Sequence, residues 1–160
     1  MDTITIESLP SIIVATHREV ISGYDAVSPL LRDVIGPCLE QMGCRTTPRG
    51  YCFTVEYSKK GQDSDIDLEY CEEVAVMGQD NAIIQFRTLP EIAQAVCVRH
   101  EGSYQTLDEA YAALFSFIER EGYRIIDYPR LTRIVGPWHT PDHRQWVSVI
   151  QAPVEPIYPS

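Results

Sequence analysis

The side chains able to do chemistry in this 160-residue sequence are few. Asp65-Ile-Asp-Leu-Glu-Tyr-Cys71 alternates polar and apolar residues. As a strand it sets Asp67, Glu69 and Cys71 on one face and Ile66, Leu68 and Tyr70 on the other. Such a carboxylate is either solvated or set in an apolar wall, where it is costly unless a cation compensates it and so selects positive ligands. Tyr51, Phe53 and Tyr57 recur at even spacing and share a face. They suit stacking on flat ligands or organic cations, or ordinary packing under the first helix. His139-Thr-Pro-Asp-His143 spaces two imidazoles by four, but Pro141 opposes a regular helix and no third ligand stands nearby. It reads as a loop, so no metal and no cofactor are expected. His17 and His100 each follow a strand, and either could face a ligand cleft; neither has a triad-like partner beside it in sequence.

Composition narrows the classes of function. Thirteen Lys and Arg against 23 Asp and Glu give a net charge of −10. That argues against nucleic acid as the main partner, because phosphate binding needs a basic stripe. Apolar residues make up 44% and charged residues 22%, the balance of an ordinary folded domain. No stretch reaches the length of a membrane span, and Met1–Glu7 has no signal-peptide character, so no membrane partner is expected. Cys38, Cys44, Cys52, Cys71 and Cys97 are odd in number and form no C-x-x-C pair. They read as small buried hydrophobes in a reducing cytoplasm.

The elements that must position these residues can be read from periodicity. Thr3–Glu7 and Ser11–Thr16 are β-prone runs separated by Leu9-Pro10. Leu30, Leu31, Val34, Ile35, Cys38, Leu39 and Met42 mark an amphipathic helix, with Ser28-Pro29 as its start, a kink or break at Gly36-Pro37, and Gly43 as its stop. Strands are expected at Tyr51–Tyr57, Asp65–Val74, Ala82–Phe86 and Ala93–His100, with a turn over residues 58–63. Leu107, Ala110, Tyr111, Leu114 and Ile118 form the stripe of a second helix ending at Gly122. Leu131–Val135 and Trp146–Gln151 are the last strands, and the proline-spaced end of the chain reads as an unstructured tail.

A repeat runs through this order. Leu9-Pro10 and Leu89-Pro90, Gly23-Tyr24 and Ser103-Tyr104, and Val74 and Val154 are each 80 residues apart, while Gly43 and Gly122 are 79 apart. The pattern is two pseudo-symmetric β-α-β-β copies, about 1–80 and 81–155 with a tail over 156–160, each too small to bury its helix face alone. An α+β fold with an antiparallel sheet, two main helices and a cleft between the halves follows.

The residues also carry a resemblance. Val98-Arg-His-Glu-Gly-Ser-Tyr-Gln-Thr-Leu-Asp-Glu-Ala-Tyr-Ala-Ala-Leu114, the Asp65–Cys71 strand and the closing Trp146-Val-Ser-Val-Ile-Gln-Ala-Pro-Val154 resemble the GyrI-like effector-binding domain. That domain is found C-terminal to DNA-binding modules in AraC- and MerR-type multidrug regulators, and alone in a gyrase inhibitor. The resemblance covers residues 3–154 of a single domain over 1–160 and implies that Glu69 is the carboxylate that partners cationic drugs. Two departures matter. Residues 129–137 hold no carboxylate, and Val149 stands where the closing strand of the family has an acid. By the 80-residue offset Val149 is the counterpart of Glu69, with Arg133 close by in sequence, so neutral or anionic ligands enter the expectation.

The expected function is a stand-alone, cytoplasmic binder of small hydrophobic or amphipathic molecules, cationic ones included, with no DNA-binding module of its own. Its expected site is Glu69, Phe53, Tyr57, Tyr111, Trp138 and Val149, with no catalytic residue assigned. Two alternatives are a protein-docking inhibitor of the gyrase-inhibitor kind and a hydrolase of electrophilic natural products using Glu69 with Tyr57 or Tyr111. The absent second-half acids place catalysis behind binding.

Overall fold

Nine strands form among residues 2–48, 50–58, 64–137 and 139–157, which the computed structural model describes. They are β1 (Thr3–Leu9), β2 (Ile12–Ile21), β3 (Cys52–Glu56), β4 (Ile66–Val74), β5 (Gln85–Leu89), β6 (Ile92–Glu101), β7 (Tyr123–Ile125), β8 (Arg130–Val135) and β9 (Val147–Pro156). Helical segments are α1 (Val27–Leu30), α2 (Gly36–Gln41) and α3 (Leu107–Arg120). The fold is α+β, its strand pairs antiparallel, with two main helical runs as expected.

The chain divides into two compact units, residues 11–90 and residues 1–10 with 91–160. Within the first, the strand order is β5-β2-β4-β3; within the second it is β1-β6-β9-β8, with β7 on the end of β9. The two orders correspond strand for strand, so the repeat is structural. Its boundaries are not those of the compact units, because β1 pairs with β6 and β5 with β2. Each leading strand therefore joins the sheet of the other copy, and Leu9-Pro10 and Leu89-Pro90 are the points of crossing.

Each sheet carries its helix on one face. In residues 11–90, Ala15, Val74 and Ile84 pack with Ile35 and Leu39, while Ile21, Ile66 and Leu68 pack with Val27. In the other unit Val96, Val98, Ile150, Ala152 and Val154 pack with Ala110, Leu114 and Ile118. The period-2 alternation of the strands and the three-to-four spacing of the helices meet at these cores.

The first helix departs from expectation at both its start and its middle. Ser28 is not a cap: a 3-10 turn at Tyr24–Ala26 leads directly into α1. Nor does Gly36-Pro37 break the helix. A π turn over Leu31–Ile35 joins α1 to α2 and lies just before Pro37, whose ring and missing N–H need a widened turn. The Gly36 N–H donates to Leu31 O, five residues back, and a Cβ at Gly36 would lie 2.8 Å from that oxygen. Gly43 and Gly122, at φ 67° and 77°, end the two helical runs as anticipated.

The strand limits also shift. β5 begins and ends three residues later than read, β7 is new, and β9 continues to Pro156 instead of leaving a tail from Pro153. Pro153 is fully buried, and its carbonyl accepts from Ile126 N at 3.0 Å. The turn placed at 58–63 lies almost wholly outside the described residues.

Candidate functional site

The polar feature that stands out is in residues 11–90, on the sheet face opposite the helix. Strand alternation brings Ile12, Val14, Phe53, Val55 and Cys71 together there, with Tyr51, Tyr57 and Leu89 half-buried against them. The aromatic trio therefore does not pack under the first helix, whose contacts are all on the other face. Tyr51 and Phe53 rings sit 5.1 Å apart at 40°.

Glu69 lies on this face between Arg18 of β2 and Val55 of β3, and is only 3% exposed. Its burial would be prohibitive for a bare carboxylate. Tyr57 Oη donates to Oε1 at 2.5 Å, and Arg87 straddles both oxygens, Nη1 to Oε2 at 2.5 Å and Nη2 to Oε1 at 2.9 Å. Burial pushes the Glu69 carboxyl up, but hydrogen bonds from Arg87 and Tyr57, the Arg87 charge and Thr16 outweigh it and hold the group below its ordinary value. Burial and the bond to Glu69 push the Tyr57 phenol up in turn. The compensating cation that sequence reasoning sought in a ligand is supplied by Arg87.

A second guanidinium completes the cluster. Arg18 holds Asp67 through two bonds, Nε to Oδ1 at 2.9 Å and Nη2 to Oδ2 at 2.8 Å. Its Cζ lies 3.8 Å from the centroid of the Tyr57 ring. Arg18 is thus bound to a carboxylate and stacked on an aromatic face at once. Asp67 is held below the ordinary carboxylate range by that bond.

Neither arginine was singled out from sequence. Periodicity ends the fifth strand at Phe86, whereas the observed strand runs to Leu89 and sets Arg87 against Val14 on the Glu69 face. The signal was present: a strand acid among apolar residues requires a cation, and strand parity limits which one can reach it.

The corresponding face of the other unit is chemically different. Val149 lies between Arg99 and Thr132 as Glu69 lies between Arg18 and Val55, so the two residues take the same place in their sheets although the neighbouring strands are offset by 81 and 77 residues and not by 80. Val149 is half-buried, and Glu7 occupies on β1 the place of Arg87 on β5. Burial, then the nearby Glu7 charge, pushes the Cys97 thiol up to about 12, so it is an inert thiol. Tyr111 packs against the α3 core, 6.1 Å ring to ring from Phe115. Trp138 falls outside the described residues.

His17 and His100 lie within β2 and β6, on the helix-bearing faces, while His139 sits in a turn and His143 in a 3-10 turn. His17 uses Nδ1 with Ile83 O at 2.7 Å and Nε2 with Glu19 at 2.9 Å. His100 is buried, with Asp2 at 2.9 Å on Nδ1 and Thr106 Oγ1 at 2.9 Å on Nε2. Sequence neighbours gave no hint of Asp2, which is 98 residues away. Thr106 Oγ1 donates to Ser103 O, so its hydrogen is committed to the turn that starts α3. His100 therefore ties that turn to the start of the chain. Among the described residues no cluster of His, Cys, Asp or Glu could hold a metal, and the five cysteines form no disulfide.

Comparison with known proteins fits this architecture. The family model of the GyrI-like small molecule binding domain matches residues 2–155. The crystal structure of the EcmrR C-terminal domain superposes with a TM-score of 0.88 at 30% identity, over 98% of this chain and 99% of that one. The EcmrR–DNA complex gives the same score and identity over 97% of this chain, which spans only 58% of that protein. A hydrolase encoded by lin2189 from Listeria innocua shares the fold, with a TM-score of 0.65 at 17% identity over 95% of this chain and 91% of that one. Among curated proteins no match was found. The chain belongs to the GyrI-like small molecule binding domain family.

Proposed function

We propose that this GyrI-like protein binds hydrophobic or amphipathic small molecules on the helix-free face of residues 11–90. The observation that carries the reading is a buried, arginine-paired carboxylate, Glu69, set in an otherwise apolar and aromatic surface. Phe53, Tyr51 and Tyr57 supply the stacking surface, and Glu69 with its partners supplies polarity. Tyr111 belongs with the α3 core, and Val149 gives the second unit an apolar counterpart of Glu69. The similarity to the EcmrR C-terminal domain, which is also known in a DNA complex, supports a regulatory use of such binding. A net charge of −10 supports a role without direct contact to nucleic acid. Five cysteines without a disulfide among them support a reducing, cytoplasmic setting.

Binding is favoured over hydrolysis on chemical grounds. A general acid or base at neutral pH needs a raised carboxyl pKa, and Glu69 is held the other way. The test is a thermal-shift screen with matched uncharged, cationic and anionic aromatics. A ligand at 100 times its Kd stabilises the native state by about 2.7 kcal/mol. The shift should vanish in Tyr57→Ala; a shift that survives puts the ligand elsewhere, and none from any class favours a protein-docking role.

A further inference from the structure

The Glu69 face has two features that attract an organic cation, a buried carboxylate and an aromatic ring face, and the chain's own guanidinium groups already occupy both. Arg87 straddles Glu69, and Arg18 lies over Tyr57. We infer that Arg87 is the specificity-determining residue of this site, an internal counter-ion that excludes lipophilic cations and leaves the face to uncharged aromatic ligands. This rests on the binding role proposed above.

Three observations carry it. First, the charge of Glu69 is already paired and buried: Oε1 accepts from Tyr57 and Arg87, Oε2 from Arg87, and the residue is 3% exposed. A cation would have to displace a bidentate guanidinium, whose fork matches a carboxylate better than a diffuse onium charge does. Second, Arg87 is held from an edge strand with its side chain 44% exposed, so it closes the carboxylate from the side open to water. Third, the Glu69–Arg87 pair is not repeated in the other copy, where Val149 and Glu7 take those two places. Arg87 thus accompanies Glu69 and is not a general feature of the edge strand. Specificity here comes from an occupied subsite, a repulsive element set against one ligand class.

The test uses two probes on the whole chain: N-phenyl-1-naphthylamine, uncharged and fluorescent, and tetraphenylphosphonium, a lipophilic cation. Wild type should bind the uncharged probe about tenfold or more tightly than the cation. Arg87→Gln should bind tetraphenylphosphonium about tenfold more tightly than wild type does, and Glu69→Gln/Arg87→Gln should lose that gain. The wild-type comparison stands even where Arg87→Gln folds poorly. Equal affinity of wild type for both probes, or a cation affinity unmoved by Arg87→Gln, overturns the inference while the binding role stands. Binding of neither probe by any variant removes the binding role itself, and the inference with it.

Discussion

The two units of this protein share strand order and helix placement, yet treat the face opposite the helix differently. Residues 11–90 bury an acid and surround it with Arg87, Tyr57, Thr16 and the Arg18–Asp67 pair. The other unit sets Val149, Thr132, a buried Cys97 and a buried Arg130 in the corresponding surface, with Glu7 and Arg99 exposed. On its helix side a buried His100 joins Asp2 to the turn before α3. Duplicated scaffolds need equal cores but not equal faces, so one copy is free to carry a recognition surface while the other carries anchoring contacts.

If the scaffold terms are equal, core truncations should cost alike in both copies. Ile35→Ala and Leu114→Ala remove buried side chains beneath the two helices, and each should cost about 2–5 kcal/mol in urea unfolding. A large effect in one copy and none in the other would break the equivalence. The faces should then separate the copies. Arg87→Ala leaves Glu69 buried without its cation and should cost roughly 3 kcal/mol, the low end for a broken buried pair because Arg87 is partly exposed. Glu7→Ala, at the matching place, should stay within about 0.5 kcal/mol.

The helices provide a smaller contrast. Gly36→Ala forces a methyl against Leu31 O and should cost about 1–2 kcal/mol. Its counterpart in α3 by the repeat offset, Ser116, is exposed in a regular helix, so Ser116→Ala should be neutral or stabilising by up to about 0.5 kcal/mol. Thermal unfolding of the two variants measures the difference.

The smallest effect is on acid stability. Glu69 has a lowered carboxyl pKa in the folded state, so its contribution is complete above the ordinary value of 4.5 and is lost as pH falls through the folded value. Between neutral pH and 5 wild type and Glu69→Gln should keep a constant stability difference. Below about 4.5 the wild type should lose stability faster than the variant. Parallel curves down to pH 2 would show that Glu69 is not held as a buried carboxylate.

Much of this was legible in the sequence because it depends on periodicity. Alternation at Asp65–Cys71 separated the Glu69 face from the core face, the 80-residue offset matched Glu69 to Val149, and Gly43 and Gly122 marked both helix ends. What escaped depends on contacts between distant segments. The exchange of β1 and β5 between the copies leaves no local mark, since a strand does not encode which neighbour it pairs with. Arg87 was hidden by a strand drawn short. Asp2 was hidden by distance along the chain, and the π turn by the expectation that proline ends a helix.

The central claim is that ligand recognition belongs to the Glu69 face of residues 11–90. Amide-detected NMR titration of the whole chain with N-phenyl-1-naphthylamine tests it most directly. The account predicts shifts concentrated in Cys52–Glu56 of β3, Asp67–Cys71 of β4 and Gln85–Arg87 of β5. Shifts confined to residues 91–157 would contradict it.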